Sequence, residues 1–251
     1  MATSNNASNL FNEVLKHTHD LGLFELVKLK GTENETTIES VSSDKSVILM
    51  GKVNNHIPEF NEQVLGLSRM SILRGFMNYF NDKDNTKVSV VSEIRNSKSV
   101  PTEANFKDKN GTEASYRFML AAVVEQQLKD ITFLGAKFDV NFVPTLKNIK
   151  DLTQFNSILG AYDATVVPRI EDGNLYFYIG DGASDRSRIM MSAGVKGELR
   201  HDYTWSIDTL LKVFKLIESA DAVVSINNNG LMQVQVVSAS GEYTYYFPAK
   251  G

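Results

Sequence analysis

Four histidines, one glycine-aspartate loop and a series of lysines on amphipathic segments are the residues that could do chemistry. His17 and His19 lie two positions apart on a run of helical periodicity, so their rings point apart and cannot chelate one ion. His56 and His201 have no second ligand beside them in sequence. The loop Gly180-Asp181-Gly182-Ala183-Ser184-Asp185-Arg186 comes nearest to a phosphate or calcium loop. It breaks the G-x-G-x-x-G spacing at Asp185, lacks the terminal glutamate of a calcium loop, and joins two strand-like runs where a phosphate loop would open a helix. It reads as a hairpin loop. No G-x-S-x-G elbow, H-E-x-x-H pair or P-loop occurs. With no cysteine there is no disulfide frame, thiol nucleophile or zinc knuckle. The expectation is a protein that is not an enzyme, with no catalytic residue, no metal and no cofactor.

The lysines and arginines are more informative. Measured at 100° per residue from each apolar centre, the polar side of every long helical segment is centred on a cation. Lys16 lies opposite the apolar face of the first, Arg74 opposite that of the second, and Lys147 and Lys150 share the polar face of the third. Lys212 lies opposite the apolar face of the fourth, with Lys215 to one side and Arg69 just ahead of the second. These seven basic residues face five acidic ones (Glu13, Asp20, Asp151, Asp208, Glu218), a surplus of +2 in a chain of net charge −4. The remainder is acidic, which argues against a simple basic coat and for a local cationic surface.

Four helices and many strands must position those cations. Helices are expected at Ser8–Asp20, Met70–Phe80, from Pro144 onward, and at Asp208–Ser219. Their inward faces read Leu10, Phe11, Val14, Leu15; Ile72, Leu73, Phe76, Phe80; Leu146, Ile149, Leu152; and Leu210, Leu211, Phe214, Ile217. Strands are expected at 24–30, 36–42, 46–52, 62–67, 87–95, 103–107 and 115–121, then at 137–142, 164–171, 175–179, 187–191, 202–206, 222–227, 231–238 and 243–247. Asn229-Gly230 marks a tight turn between two of the last three.

The order repeats. Leu21-Gly22-Leu23-Phe24-Glu25 matches Leu159-Gly160-Ala161-Tyr162-Asp163, and Leu73-Arg74-Gly75-Phe76 matches Leu211-Lys212-Val213-Phe214, both at an offset of 138 positions. Two tandem copies of one α+β domain are implied, at 1–123 and 137–251, joined by a connector at 124–136 that fits neither periodicity. That connector carries Leu128, Ile131, Phe133 and Leu134, so it must bury itself or bind something. Length, 251 residues, and 42 % apolar against 22 % charged residues suit a globular chain with a sizeable core. No apolar run is long enough to span a membrane, and the N-terminus lacks the basic-then-apolar pattern of an export signal, so a cytoplasmic location is expected.

Tandem α+β copies, cationic outer helix faces and an apolar connector together resemble the DNA polymerase sliding clamps (processivity factors) of the two-domain type, and more distantly proliferating-cell nuclear antigen. Val41-Ser42-Ser43-Asp44-Lys45-Ser46-Val47-Ile48-Leu49 resembles the family's Ser-rich strand-loop-strand. Phe60-Asn61-Glu62-Gln63-Val64-Leu65-Gly66-Leu67 running into Met70 resembles its strand leading to the second helix. The ending Tyr243-Thr244-Tyr245-Tyr246-Phe247-Pro248-Ala249-Lys250 is similar to its terminal strand and tail, with Pro and Ala exchanged relative to the commonest nuclear form. Divergence and an Asn-rich N-terminus point to the phage branch.

The resemblance implies a homotrimeric ring with antiparallel sheets outside and two helices per domain inside, encircling duplex DNA without reading its sequence. Lys16, Arg69, Arg74, Lys147, Lys150, Lys212 and Lys215 would then face phosphates, which position a protein but carry no base code. It implies a pocket for partner peptides, from DNA polymerase and other factors, built from Val41, Val47, Leu128, Ile131, Phe133, Phe247 and Pro248. It implies a clamp-loader ATPase as a further partner, since this chain has no phosphate loop. If phage-encoded, the cytoplasm would be that of an infected bacterial host. The alternative from another class is a β-rich, ring-forming virion or tail structural protein.

Overall fold

The computed structural model describes residues 3–54, 57–81, 86–95, 97–129, 135–180, 185–218 and 220–250, with side chains from residue 7 onward. Along the chain run α1 (Thr3–His17), β1 (Val27–Gly31), β2 (Thr36–Val41), β3 (Ile48–Val53), β4 (Val64–Leu67), α2 (Met70–Tyr79), β5 (Lys87–Arg95), β6 (Lys98–Lys107), β7 (Glu113–Arg117), β8 (Met119–Leu120) and α3 (Ala121–Gln127). There follow β9 (Val140–Phe142), α4 (Leu146–Leu159), β10 (Thr165–Glu171), β11 (Asn174–Ile179), β12 (Ser187–Ser192), β13 (Trp205–Ser206), α5 (Ile207–Phe214), β14 (Asp221–Ile226), β15 (Leu231–Ser238) and β16 (Gly241–Pro248). Two compact units result: Met1–Lys45 with Leu49–Thr132 and Ala239–Glu242, and Ser46–Ile48 with Phe133–Ser238 and Tyr243–Gly251.

In the first unit the strands lie side by side in the order β8-β4-β1-β2-β3, with β5-β6-β7 as a second sheet. In the second they lie β12-β11-β10-β13 and β16-β15-β14-β9. Removing β8 and β9 leaves one arrangement in both units: β4-β1-β2-β3 matches β13-β10-β11-β12, and β5-β6-β7 matches β14-β15-β16. The helices match as well, α1 with α4 and α2 with α5. The ladders are antiparallel, as in Lys28↔Glu39 of β1–β2 and Val167↔Tyr178 of β10–β11. This is the α+β architecture with antiparallel sheets that the sequence pattern implies.

Each unit buries its own core. In the first, Leu10, Phe11, Val14 and Leu15 of α1 are fully buried, and Phe118 meets Phe11 and Phe60 at ring-centroid distances of 6.1 and 5.8 Å. Phe106 of β6 lies 5.6 Å from both Phe76 and Phe80. In the second, Phe142 meets Phe177 edge-on at 5.8 Å, and Trp205 donates its indole N–H to Phe247 O at 2.8 Å. Burial of such side chains contributes about 1.5–3 kcal/mol each.

Several expected boundaries and faces differ. Helix α1 starts at Thr3, ahead of Ser8, because Ala7 is buried and extends the apolar stripe backwards past polar residues of low propensity. It stops at His17, and a 3₁₀ turn carries the chain to Gly22, whose φ of 63° only glycine adopts readily. On α2 the buried stripe is Met70, Leu73 and Met77, which turns Ile72 outward to 43 % exposure and leaves Phe76 half-buried. Pro144 precedes the N-cap of α4 instead of opening it. Thr145 is the cap, and Leu146, in the outward first turn, is 60 % exposed. The fourth helix is split into α5 and a 3₁₀ turn over Lys215–Glu218, so that Val213 and Leu216 are buried while Leu211 and Ile217 are only half-buried. The run read as lacking periodicity opens inside a third, short helix of the first unit, α3, with Val124 fully buried.

Candidate nucleic-acid interface

Each unit packs its two longer helices against each other, α1 with α2 and α4 with α5. In the second unit the polar side of that pair is open and carries exposed Lys147, Lys150 and Lys215 beside exposed Asp208 and Glu218. Thr145 and Asn148 form a reciprocal capping box at the start of α4: Asn148 N donates to Thr145 Oγ1 at 3.2 Å and Thr145 N donates to Asn148 Oδ1 at 2.9 Å. Lys147 and Lys150 follow on the exposed face. Lys147 pairs with Asp151 one turn on, with 81 % of its side chain still exposed. Ser206 caps α5, and Asn156 Nδ2 donates to Asp208 Oδ1 at 2.7 Å, tying α4 to α5. Lys212 is half-buried with neighbours of its own, and Lys215 is exposed.

The first unit uses its cations differently. Arg74 of α2 reaches across to α1 and its following turn: Nε donates to Asp20 Oδ1 at 3.0 Å, Nη1 to Asn12 Oδ1 at 3.1 Å, and Nη2 to Asp20 Oδ2. Only 22 % of the Arg74 side chain is exposed, so it is a brace between helices. Lys16 is half-buried and engaged with neighbours. Arg69, at the N-cap of α2, has a left-handed backbone (φ 52°) and lines a cleft with Ile72, Glu103, Tyr116 and Arg117. Much of the rest of these two helices' exposed surface is uncharged: Asn9, Asn12, Ser71 and Asn78 are exposed, as are Ile72 and Tyr79. The Arg74–Asp20 bridge was not foreseen from the sequence. Its signal was a carboxylate on the turn after the first helix, a position that helical periodicity alone does not pair with the second.

Among the described residues no group of three or more His, Cys, Asp or Glu could take a metal ion. His17 is buried beside Glu13, its Nε2 3.3 Å from Oε1, and burial holds its pKa below the ordinary 6.5 while Glu13 partly offsets the drop. His19 lies in the 3₁₀ turn, and His201 stacks edge-on against Tyr203 at 5.9 Å. His56 lies outside the described residues, as do residues 181–184 of the glycine-aspartate loop. The flanking β11 and β12 pair antiparallel, as a hairpin requires. No helix among the described residues is long and apolar enough to cross a membrane.

Two tandem units with one strand order, each with a helix pair, can be compared with known proteins. No family model matches the sequence, and no curated protein matches it. Solved structures do match, over nearly the whole chain. PCNA from Thermococcus kodakaraensis superposes with a TM-score of 0.71 at 8 % identity, covering 97 % of both chains. A. fulgidus PCNA, solved with the C-terminal region of FEN-1 bound, gives 0.72 at 12 %, covering 97 % of this chain and 96 % of that one. A chain of the PCNA2–PCNA3 complex from Sulfolobus tokodaii gives 0.64 at 11 %, covering 99 % and 97 %. The chain has the two-domain PCNA-like clamp fold. At these identities the likeness is one of fold.

The seven residues expected to line a partner pocket divide between the units of this clamp fold. Val41, half-buried at the end of β2, and Leu128, buried at the C-cap of α3, belong to the first. Val47 and Phe247, both buried, and Pro248, exposed at the end of β16, belong to the second. Ile131 and Phe133 lie outside the described residues. Leu128 O accepts from Lys28 Nζ at 3.5 Å, an anchor for the end of α3 that the sequence did not signal.

Proposed function

We propose that this protein is a DNA sliding clamp, a homotrimeric ring that encircles duplex DNA and tethers a replicative DNA polymerase for processive synthesis. The observation that carries the reading is the pairing of a PCNA-like clamp fold with an exposed lysine face on a helix pair, Lys147 and Lys150 beside Lys215. With Lys212 these lysines contact phosphates weakly and without sequence preference, so topological closure holds the ring on DNA. This reading takes 1–123 and 137–251 as the two clamp domains and 124–136 as the connector between them. Val41, Val47, Leu128, Ile131, Phe133, Phe247 and Pro248 receive aromatic anchors of polymerase and other partner peptides. FEN-1 bound to the A. fulgidus relative is a precedent for such a partner. A loader ATPase opens the ring, and the chain itself catalyses nothing. Identity of only 8–12 % to archaeal clamps supports a remote branch, of which the phage one is our choice, acting in the cytoplasm of an infected bacterium.

Absolute mass by light scattering over a dilution series tests the ring. The expected value is three times the 28.0 kDa chain. A monomer at every concentration, or a far larger assembly, would overturn the homotrimer.

A further inference from the structure

The two helix pairs differ in a way that divides their labour on DNA. We propose that the second unit's pair grips the duplex, through Lys147, Lys150 and Lys215, while the first unit's pair is a near-neutral asparagine surface over which phosphates glide. The inference rests on the clamp reading above and assigns the grip within it.

Arg74 decides the first unit's role. It makes three charge-assisted hydrogen bonds, to both carboxylate oxygens of Asp20 and to Asn12, at 22 % side-chain exposure. A two-point arginine–carboxylate fork is among the stronger polar interactions. Turning the guanidinium toward a phosphate breaks that fork and leaves the Asp20 carboxylate facing a polyanion. Lys16 is half-buried with partners of its own, and Arg69 stands off the face, at the N-cap. The uncharged polar residues that remain exposed, Asn9, Asn12, Ser71 and Asn78, can bond to phosphate but release no counterion, and Ile72 and Tyr79 beside them are apolar.

In the second unit the net charge of the helix pair is the same, but its lysines reach solvent alongside the exposed acids Asp208 and Glu218. Lys150 and Lys215 are exposed and have no ion-pair partner among the described residues. Lys147 has Asp151, but an exposed i,i+4 pair is worth only about 0.3–0.5 kcal/mol and gives way to a phosphate. A ring of three chains thus holds DNA at three lysine faces, with three low-friction faces where sliding meets little resistance.

The test is the salt dependence of binding to a short, open-ended duplex by the intact ring, as the slope of log K against log of KCl concentration. Lys150→Ala with Lys215→Ala is expected to flatten the slope, by roughly 0.9 for each phosphate contact removed. Arg74→Gln is expected to leave the slope at the wild-type value. Asp20→Asn, which frees the Arg74 fork, should steepen it, and Asp20→Asn with Arg74→Gln should restore it. A slope flattened by Arg74→Gln as much as by the double lysine variant would overturn the division of labour while leaving the clamp standing. A wild-type ring that binds no duplex at any salt overturns both. All four residues are on the surface or half-buried, and thermal melts of each variant establish that the fold is retained.

Discussion

Lys28 and Glu39 face each other directly across the β1–β2 ladder, with Nζ 2.6 Å from Oε2 and only 2 % of the lysine side chain exposed. The same ammonium donates to Leu128 O at 3.5 Å, so one buried charge joins two strands to the end of α3. Removing one member of a buried pair strands the other, at about 3–5 kcal/mol. Glu39 keeps 17 % side-chain exposure, which places Lys28→Ala at the lower end of that range. Replacing both with apolar residues of similar volume, Lys28→Met with Glu39→Leu, should cost far less, because no charge is left unpaired. Urea denaturation midpoints of the single and double variants check this. Equal losses in both would show that packing, and not charge, holds the site.

His17 makes stability depend on pH on the acid side of neutrality. Burial lowers its pKa from 6.5, against a smaller upward pull from Glu13. In the window between the depressed folded value and 6.5 the unfolded chain therefore binds more protons than the folded one, and stability rises with pH there. Acidification through 6.5 should destabilise wild type more than His17→Gln. The carboxylates with depressed pKa, Asp202 beside Arg169 and Glu171 beside Tyr178 and Arg188, act in the same sense but at much lower pH: their stabilisation is present above their ordinary range and lost as pH falls through the depressed values. Melting temperatures taken on both sides of pH 6.5 separate the two. A pH dependence identical in wild type and His17→Gln would remove the histidine from the account.

Gly31 ends β1 where the backbone of Phe60 comes closest. A Cβ there would sit 2.0 Å from Phe60 O and 2.6 Å from its carbonyl carbon, both main-chain atoms that no rotamer can move aside. The Gly31 N–H also donates to Gln63 O at 3.0 Å, fixing the approach. Gly31→Ala should destabilise the first unit by at least ~2 kcal/mol, as backbone-level overpacking does. Ala at Gly75, where a Cβ would meet nothing within 4 Å, is the matched control and should be neutral or slightly stabilising on its helix.

Much of this architecture was legible from periodicity. β5 and β15 fall at the expected residues, and the four long helices lie within a few residues of theirs, because apolar spacing is a local property. The repeat was also legible, since α2 opens at Met70 and α5 at Ile207, one residue from the 138-position offset. What sequence did not reveal was set by partners far along the chain. The outward turn of Ile72 follows from which of two overlapping stripes the sheet accepts. The capture of Arg74 depends on Asp20, 54 positions away. A wheel centred on Ile72, Leu73, Phe76 and Phe80 places Arg74 at the middle of the polar face; the observed stripe of Met70, Leu73 and Met77 sets it at the flank instead, and a wheel drawn for one helix cannot show that a neighbouring carboxylate occupies it.

Charge reversal at Lys147 and Lys212 tests the lysine face in function. Lys147 lies on α4 and Lys212 on α5, so Lys147→Glu with Lys212→Glu changes the face by four units of charge per chain without touching a buried apolar side chain. Lys147 is wide open, and its loss leaves Asp151 facing solvent, so the cost to stability should stay within about 1 kcal/mol. If the proposed phosphate contacts, repeated over three chains, keep a duplex centred, replacing them by repulsion should shorten polymerase products several-fold while the mass stays that of a trimer. Primer extension on a long template in the presence of the polymerase and its loader provides the readout, with light scattering on the same sample. Full-length products from a trimeric double variant would show that DNA does not pass along these helices. Shortened products that recover as salt is lowered would not fit repulsion either, because screening weakens then and the repulsion grows. The lysine-face account therefore requires the defect to deepen at low salt and ease at high salt.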